Sequence, residues 1–325
     1  MNNAKIGIPV DKIKVSNVDN FTSDIGMNIR KKTDFIVRAL FKRGTKTKFN
    51  IERYPNLEKG KPYIFASTHS FVDDPIAGFV VSDRNAYMLF GTTDQLEHNP
   101  LILIALWNGL IYVDRLNPKS REQALPKMER VLNNGNSVVL FPEGAFNNTE
   151  NLLIQGLFSG VYHLSKNTGV EVVPIIAFKE LNNRNSYIKV EDPLDFSQKT
   201  EREALIELRD CMASGMYEMF LKHTTPLKRA ELGDDPRLDF MEERRLEYLG
   251  VKWTRDVWEE ELSVNKLDKD NPAPKEIRAT LKDVELTVKN AKIFAPTFAE
   301  IEKDERYDFI SYMKKNWQKK PYWYK

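Results

Sequence analysis

Short apolar runs alternate with segments of helical spacing from Ile51 to Leu227. Tyr63 to Ser67, Ala86 to Phe90, Leu110 to Val113, Ser137 to Phe141, Val172 to Phe178 and Tyr187 to Val190 read as strands. Each is four to seven residues long and rich in β-branched and aromatic side chains. Between and after them, Pro75 to Val81, Thr93 to Trp107, Pro118 to Leu132, Leu157 to Lys166 and Glu201 to His223 read as helices. Strands separated by helical crossovers predict an α/β fold with a central, mostly parallel sheet and flanking helices.

The two ends differ in texture. From about Asp19 to Lys48, Ile25, Ile29, Ile36 and Leu40 fall close to one helical stripe, flanked by Phe35 and Phe41. Arg30, Lys31, Lys32, Arg38, Lys42 and Arg43 lie opposite. Residues 1–50 therefore read as a basic amphipathic segment whose apolar stripe has two destinations, the main domain or a membrane surface. After Pro226, charged helix-like stretches run from Leu238 to Leu249, Lys275 to Lys292 and Phe298 to Trp317, so 227–325 reads as a helical extension of the α/β unit at 51–226.

Composition narrows the function classes. The 325 residues are 41% hydrophobic and 30% charged, the balance of a chain that folds around a core. Lys plus Arg (49) and Asp plus Glu (47) nearly cancel to a net +2, which argues against a nucleic-acid partner. A single cysteine, Cys211, excludes an intrachain disulfide and a Cys-based zinc cage, and suggests a reducing compartment. The longest apolar run, Leu101 to Val113, is broken by Asn108 and is short of the roughly 20 residues of a spanning helix. With no secretory pattern at Met1, a cytoplasmic location is expected.

Reactive side chains gather after the predicted strands, where open α/β sheets place their sites. Thr68-His69-Ser70-Phe71-Val72-Asp73-Asp74-Pro75 follows the first, Asp114-Arg115 the third and Pro142-Glu143-Gly144-Ala145 the fourth. A carboxylate five residues beyond His69, across a turn into a helix, can accept the imidazole Nδ1–H and leave Nε2 to face a hydroxyl. The nucleophile elbow, the phosphate-binding P-loop and the dinucleotide fingerprint are all missing, and His98, His163 and His223 are scattered. No metal site is expected.

These residues resemble the glycerolipid (PlsC-like) acyltransferases, which include the 1-acylglycerol-3-phosphate acyltransferases. The likeness covers roughly residues 50 to 225. His69-x4-Asp74 is similar to the family's catalytic block, and Gly109-Leu-Ile-Tyr-Val-Asp114-Arg115 to the block whose arginine contacts the acceptor. Phe141-Pro142-Glu143-Gly144 is similar to the third block and Val172-Val173-Pro174-Ile175 to the fourth. The family continues its third block with Thr-Arg, the arginine helping to hold a phosphate; this chain has Ala145-Phe146. Either the acceptor carries no phosphate there, or Arg115 holds it, alone or with a lysine such as Lys179, or Phe146 is local packing.

The resemblance implies transfer of a fatty acyl group from acyl-CoA or acyl carrier protein to a hydroxyl of a lysophospholipid or glycerol phosphate-like acceptor, in phospholipid biosynthesis. In it His69 is the base, Asp74 holds its tautomer, Arg115, Glu143, Gly144 and Phe146 line the acceptor site, and backbone amides stabilise the oxyanion. The donor is a co-substrate, and no tightly bound cofactor is implied. With the basic helix, this places the chain peripherally at the inner face of an anionic membrane. Two alternatives stay open: a relative that binds lipid or an acyl carrier without turnover, and a hydrolase in which His69 activates water.

Overall fold

A computed structural model describes residues 22–224 except 46, 72, 83–84, 92–108, 114–117, 145–152, 155–156 and 181–182. The helix expected over Thr93 to Trp107 and everything expected of 227–325 lie outside the described residues. In chain order the elements are α1 (Asp24–Gly44), β1 (Lys48–Arg53), β2 (Ile64–Ser67), α2 (Asp74–Ser82), β3 (Ala86–Gly91), β4 (Leu110–Val113), α3 (Pro118–Asn133), β5 (Ser137–Leu140), α4 (Gly160–Thr168), β6 (Val172–Lys179), β7 (Asn185–Val190) and α5 (Glu201–His223).

The strands form one sheet in the order β1-β7-β6-β2-β5-β3-β4. β6, β2, β5, β3 and β4 run parallel; β7 is antiparallel to β6, and β1 runs parallel to β7 at the edge. This is the mostly parallel α/β sheet expected from the alternating pattern. β1 is an addition: its sequence KFNIER is half exposed and charged, as an outer strand must be, and so lacks the apolar run that marks the others.

β2 and β5 are buried at every position because helices cover both faces. Phe65, Met88, Val139 and Val173 point to the face covered by α2. Ile64, Ala66, Val138 and Leu140 point to the other, against α3, α4 and α5. Gly78 lets α2 approach closely: a Cβ there would lie 2.7 Å from Val139 Cγ1. Helix ends follow local chemistry. Pro75 sits in the first turn of α2, where no amide is needed. Gly169, at φ +68°, stops α4 by donating its N–H to Ser165 O. Thr200 and Glu203 form a reciprocal capping box on α5.

The amphipathic helix docks with its other side. Met27, Arg30 and Asp34, spaced i, i+3, i+7, face the body, and Met27 and Arg30 are buried. The stripe thought able to pack on the domain is outside: Ile25 is 74% exposed, Phe35 70%, and Ile29 and Ile36 about half. These four side chains do not pack on the described body, and the side chains of Leu40 and Phe41 lie outside the description. Arg30 tolerates burial because its guanidinium donates to Ala86 O at 2.5 Å and Asp34 Oδ1 at 3.3 Å and lies 4.1 Å from the Tyr87 ring centroid. Burial of that ring pushes the Tyr87 hydroxyl above its usual pKa.

Candidate active site

The chain leaves β2 for α2 on one face of the sheet, and leaves the adjacent strand β5 toward α4 on the other. Between their carboxyl ends lies the switch point, where α/β sheets place the crevice that binds their ligands. His69 and Asp74 come from the β2 side and Glu143 and Gly144 from the β5 side.

The segment after β2 is pinned before it turns. Thr68 continues the ladder with its N–H on Ile175 O, and its hydroxyl accepts the N–H of Ala177 at 2.9 Å. Ser70 donates its hydroxyl to Ala177 O at 3.3 Å. His69 follows at this switch point with 15% of its side chain exposed, while Asp74 is fully buried.

Asp74 is the acceptor at the centre. Its Oδ1 lies 3.0 Å and its Oδ2 3.1 Å from His69 Nδ1. Oδ2 also accepts the backbone N–H of Ser70 at 2.7 Å and of Phe71 at 3.1 Å. A carboxylate so held, in the first turn of α2, keeps the ring proton on Nδ1 and the basic lone pair on Nε2. Phe141 stacks on the imidazole, with centroids 4.2 Å apart and planes at 27°.

Across the switch point, Phe141-Pro142-Glu143-Gly144 forms a turn closed by Gly144 N–H on Phe141 O at 3.0 Å. Proline second in the turn fixes its entry, and Gly144 adopts φ +73°, a conformation L side chains resist. The turn directs Glu143, 1% exposed, back toward β2, where its Oε1 accepts the backbone N–H of His69 at 2.9 Å.

Four of the sequence-predicted residues, His69, Asp74, Glu143 and Gly144, are thus brought together; Arg115 and Phe146 lie outside the described residues. Lys179 donates its ammonium to the carbonyls of Glu180 and Asn183 in the β6–β7 connection. The amides of His69, Ser70, Phe71, Asp74 and Gly144 all donate within the fold, so an oxyanion needs donors other than these. Sequence reasoning did not give Phe141 a role beyond its motif, nor Asp73 any role. The signal available for Asp73 was a second acid directly before Asp74.

Comparison with curated proteins finds no match. Among solved structures the chain is similar to the 1-acyl-sn-glycerophosphate (LPA) acyltransferase PlsC from Thermotoga maritima, at 17% identity, covering 63% of this chain and 88% of that chain, with a TM-score of 0.47. The family model described as Acyltransferase matches residues 48–177, from β1 through the strand that carries the fourth block. The residues that follow β2 and β5, His69 to Asp74 and Pro142 to Gly144, thus lie inside the matched span.

Proposed function

We propose that the protein transfers a fatty acyl group from a thioester, acyl-CoA or acyl carrier protein, to a hydroxyl of a lysophospholipid or glycerol phosphate-like acceptor. The observation that carries this is the His69–Asp74 pair, held against the Glu143 turn within the span that the Acyltransferase family model matches. Nε2 of His69 takes the hydroxyl proton as the acceptor oxygen attacks the thioester carbonyl. The tetrahedral intermediate then collapses, breaking the C–S bond, and the thiol leaves with a proton from the imidazolium. Asp74 and the Phe141 ring fix the imidazole throughout. Arg115 binds the anionic group of the acceptor, and Glu143 and Gly144 shape its site. The donor is consumed as co-substrate, and the chemistry calls for no resident cofactor or metal.

The experiment is incubation of the purified full chain with labelled palmitoyl-CoA and a panel of lysolipid, glycerol phosphate and amino-alcohol acceptors. Label in an acyl ester supports transfer. Label released as free fatty acid without acceptor identifies hydrolysis instead, and tight acyl-CoA binding without either product identifies a binding protein.

A second acceptor reading rests on Ala145-Phe146 standing where the family has Thr-Arg. Loss of one charge-assisted phosphate contact, worth roughly 1.5–3 kcal/mol, disfavours a phosphate acceptor by one to two powers of ten. Phe146→Arg then raises kcat/KM for lysophosphatidic acid relative to an uncharged acceptor of equal chain length. A stable variant with unchanged preference removes this reading.

The reaction is proposed to take place at an anionic membrane surface, peripherally and on its cytoplasmic side. No helix among the described residues is long and apolar enough to cross a membrane, whereas α1 presents Ile25, Ile29, Phe35 and Ile36 outward beside exposed Lys31 and Lys32. Apolar insertion plus about 1 kcal/mol per basic side chain is the combination interfacial helices use.

A further inference from the structure

Asp73 takes no part in the His69 pair, yet its carboxylate is held by partners of its own. Its Oδ2 accepts the hydroxyls of Thr45, at 3.1 Å, and of Thr47, both in the connection between α1 and β1. Thr45 Oγ1 in turn accepts the N–H of Thr47 at 3.1 Å, so the two hydroxyls reach the carboxylate as a unit. Asp73 also opens α2: its carbonyl accepts the N–H groups of Ile76 at 3.0 Å and Ala77 at 3.2 Å. Side chain and main chain of this residue are therefore fixed by different parts of the fold.

We propose that Asp73 is a positioning residue whose clasp with Thr45 and Thr47 sets the start of α2, and with it the angle at which Asp74 meets His69 Nδ1. Asp74 is one peptide bond further on, and its place follows from the backbone at Asp73. Hydrogen bonds to a carboxylate are among the stronger ones, and catalytic geometry is sensitive to displacements of an ångström. The clasp also keeps the second carboxylate turned toward hydroxyls instead of the imidazole. The α1–β1 connection thereby becomes part of the frame of the active site. This inference rests on the reading of His69 as the base.

The test compares Thr47→Val, Thr45→Val and Thr47→Ser with His69→Ala, all in the full chain, by kcat, KM for palmitoyl-CoA and melting temperature. Thr47→Val is expected to lower kcat roughly tenfold with KM unchanged, as a misplaced pair should. Thr47→Ser, which keeps the hydroxyl and loses the methyl, is expected to recover kcat to within about twofold. Thr45→Val carries the same comparison if Thr47→Val does not fold. Wild-type kcat in folded valine variants while His69→Ala is inactive overturns the clasp and leaves the base standing. A Thr47→Ser variant as slow as Thr47→Val also overturns it, since shape would then matter and not the hydroxyl. An active His69→Ala removes both the base and the clasp.

Discussion

Glu143 Oε1 accepts the backbone N–H of His69 at 2.9 Å, joining the end of β5 to the end of β2 across the switch point of the sheet. A buried acid therefore does for the His69 backbone what Asp74 does for its ring. Removing the acceptor leaves a partly buried amide without this bond, at a cost of about 1–3 kcal/mol. Glu143→Ala is expected to lower the melting temperature and to cut turnover by about tenfold or more as the imidazole loses its anchor. Glu143→Gln, which keeps an acceptor oxygen, is expected to melt close to the wild type. Thermal melts and initial rates on the two variants check the contrast.

Gly78 places α2 against the sheet. A Cβ would meet Val139 Cγ1 at 2.7 Å and Met88 Cε at 3.4 Å, and Val139 is in the buried centre of β5. Gly78→Ala is expected to destabilise by about 1–3 kcal/mol through overpacking. At this size each kcal/mol lowers the melting temperature by roughly 2–4 °C. Because Asp74 begins the same helix, kcat should fall as well.

The capping box at the start of α5 gives a pH dependence of known sign. Hydrogen bonds from Thr200, chiefly its backbone N–H, hold the Glu203 carboxyl below the usual carboxylate range. A depressed carboxyl contributes stability that is present above its unfolded pKa, near 4.3, and is lost as pH falls through the lower folded value. Glu203→Gln is therefore expected to melt below the wild type at pH 6, with the gap closing as pH falls under 4. A gap that widens in acid contradicts this assignment.

The outward stripe of α1 predicts salt-sensitive binding to anionic liposomes. Ile29→Glu with Phe35→Glu is expected to abolish flotation with such vesicles and leave the melting temperature unchanged, since both side chains are exposed. Point substitutions are the right tool because truncation before Ile51 would also delete Arg30, Thr45 and Thr47, which tie α1 and its connection to the body. Equal flotation of the double variant and the wild type would remove α1 from the membrane account.

The central strands were legible because β2, β5 and β6 are covered on both faces and so must be apolar runs. β1 was not, since an edge strand alternates and carries charge, and Lys48–Arg53 looks like a loop until β7 is beside it. The spacing of Ile25, Ile29 and Ile36 disclosed a helix but not its docking side. That was decided by Arg30, whose partners Ala86 and Tyr87 lie more than 50 residues away in sequence. His69 and Asp74 stood out because the pair is local, five residues apart. Asp73 did not, because Thr45 and Thr47 reach it from 28 and 26 residues upstream.

The central claim is that His69 removes the proton from an acceptor hydroxyl. The most direct measurement is the rate of label transfer from palmitoyl-CoA to the best acceptor by His69→Ala, with a thermal melt of the same preparation. The account predicts a loss of about 10²-fold or more with the melting temperature near that of the wild type, because His69 stands partly exposed at the switch point. Near-full turnover by a folded His69→Ala variant would contradict it.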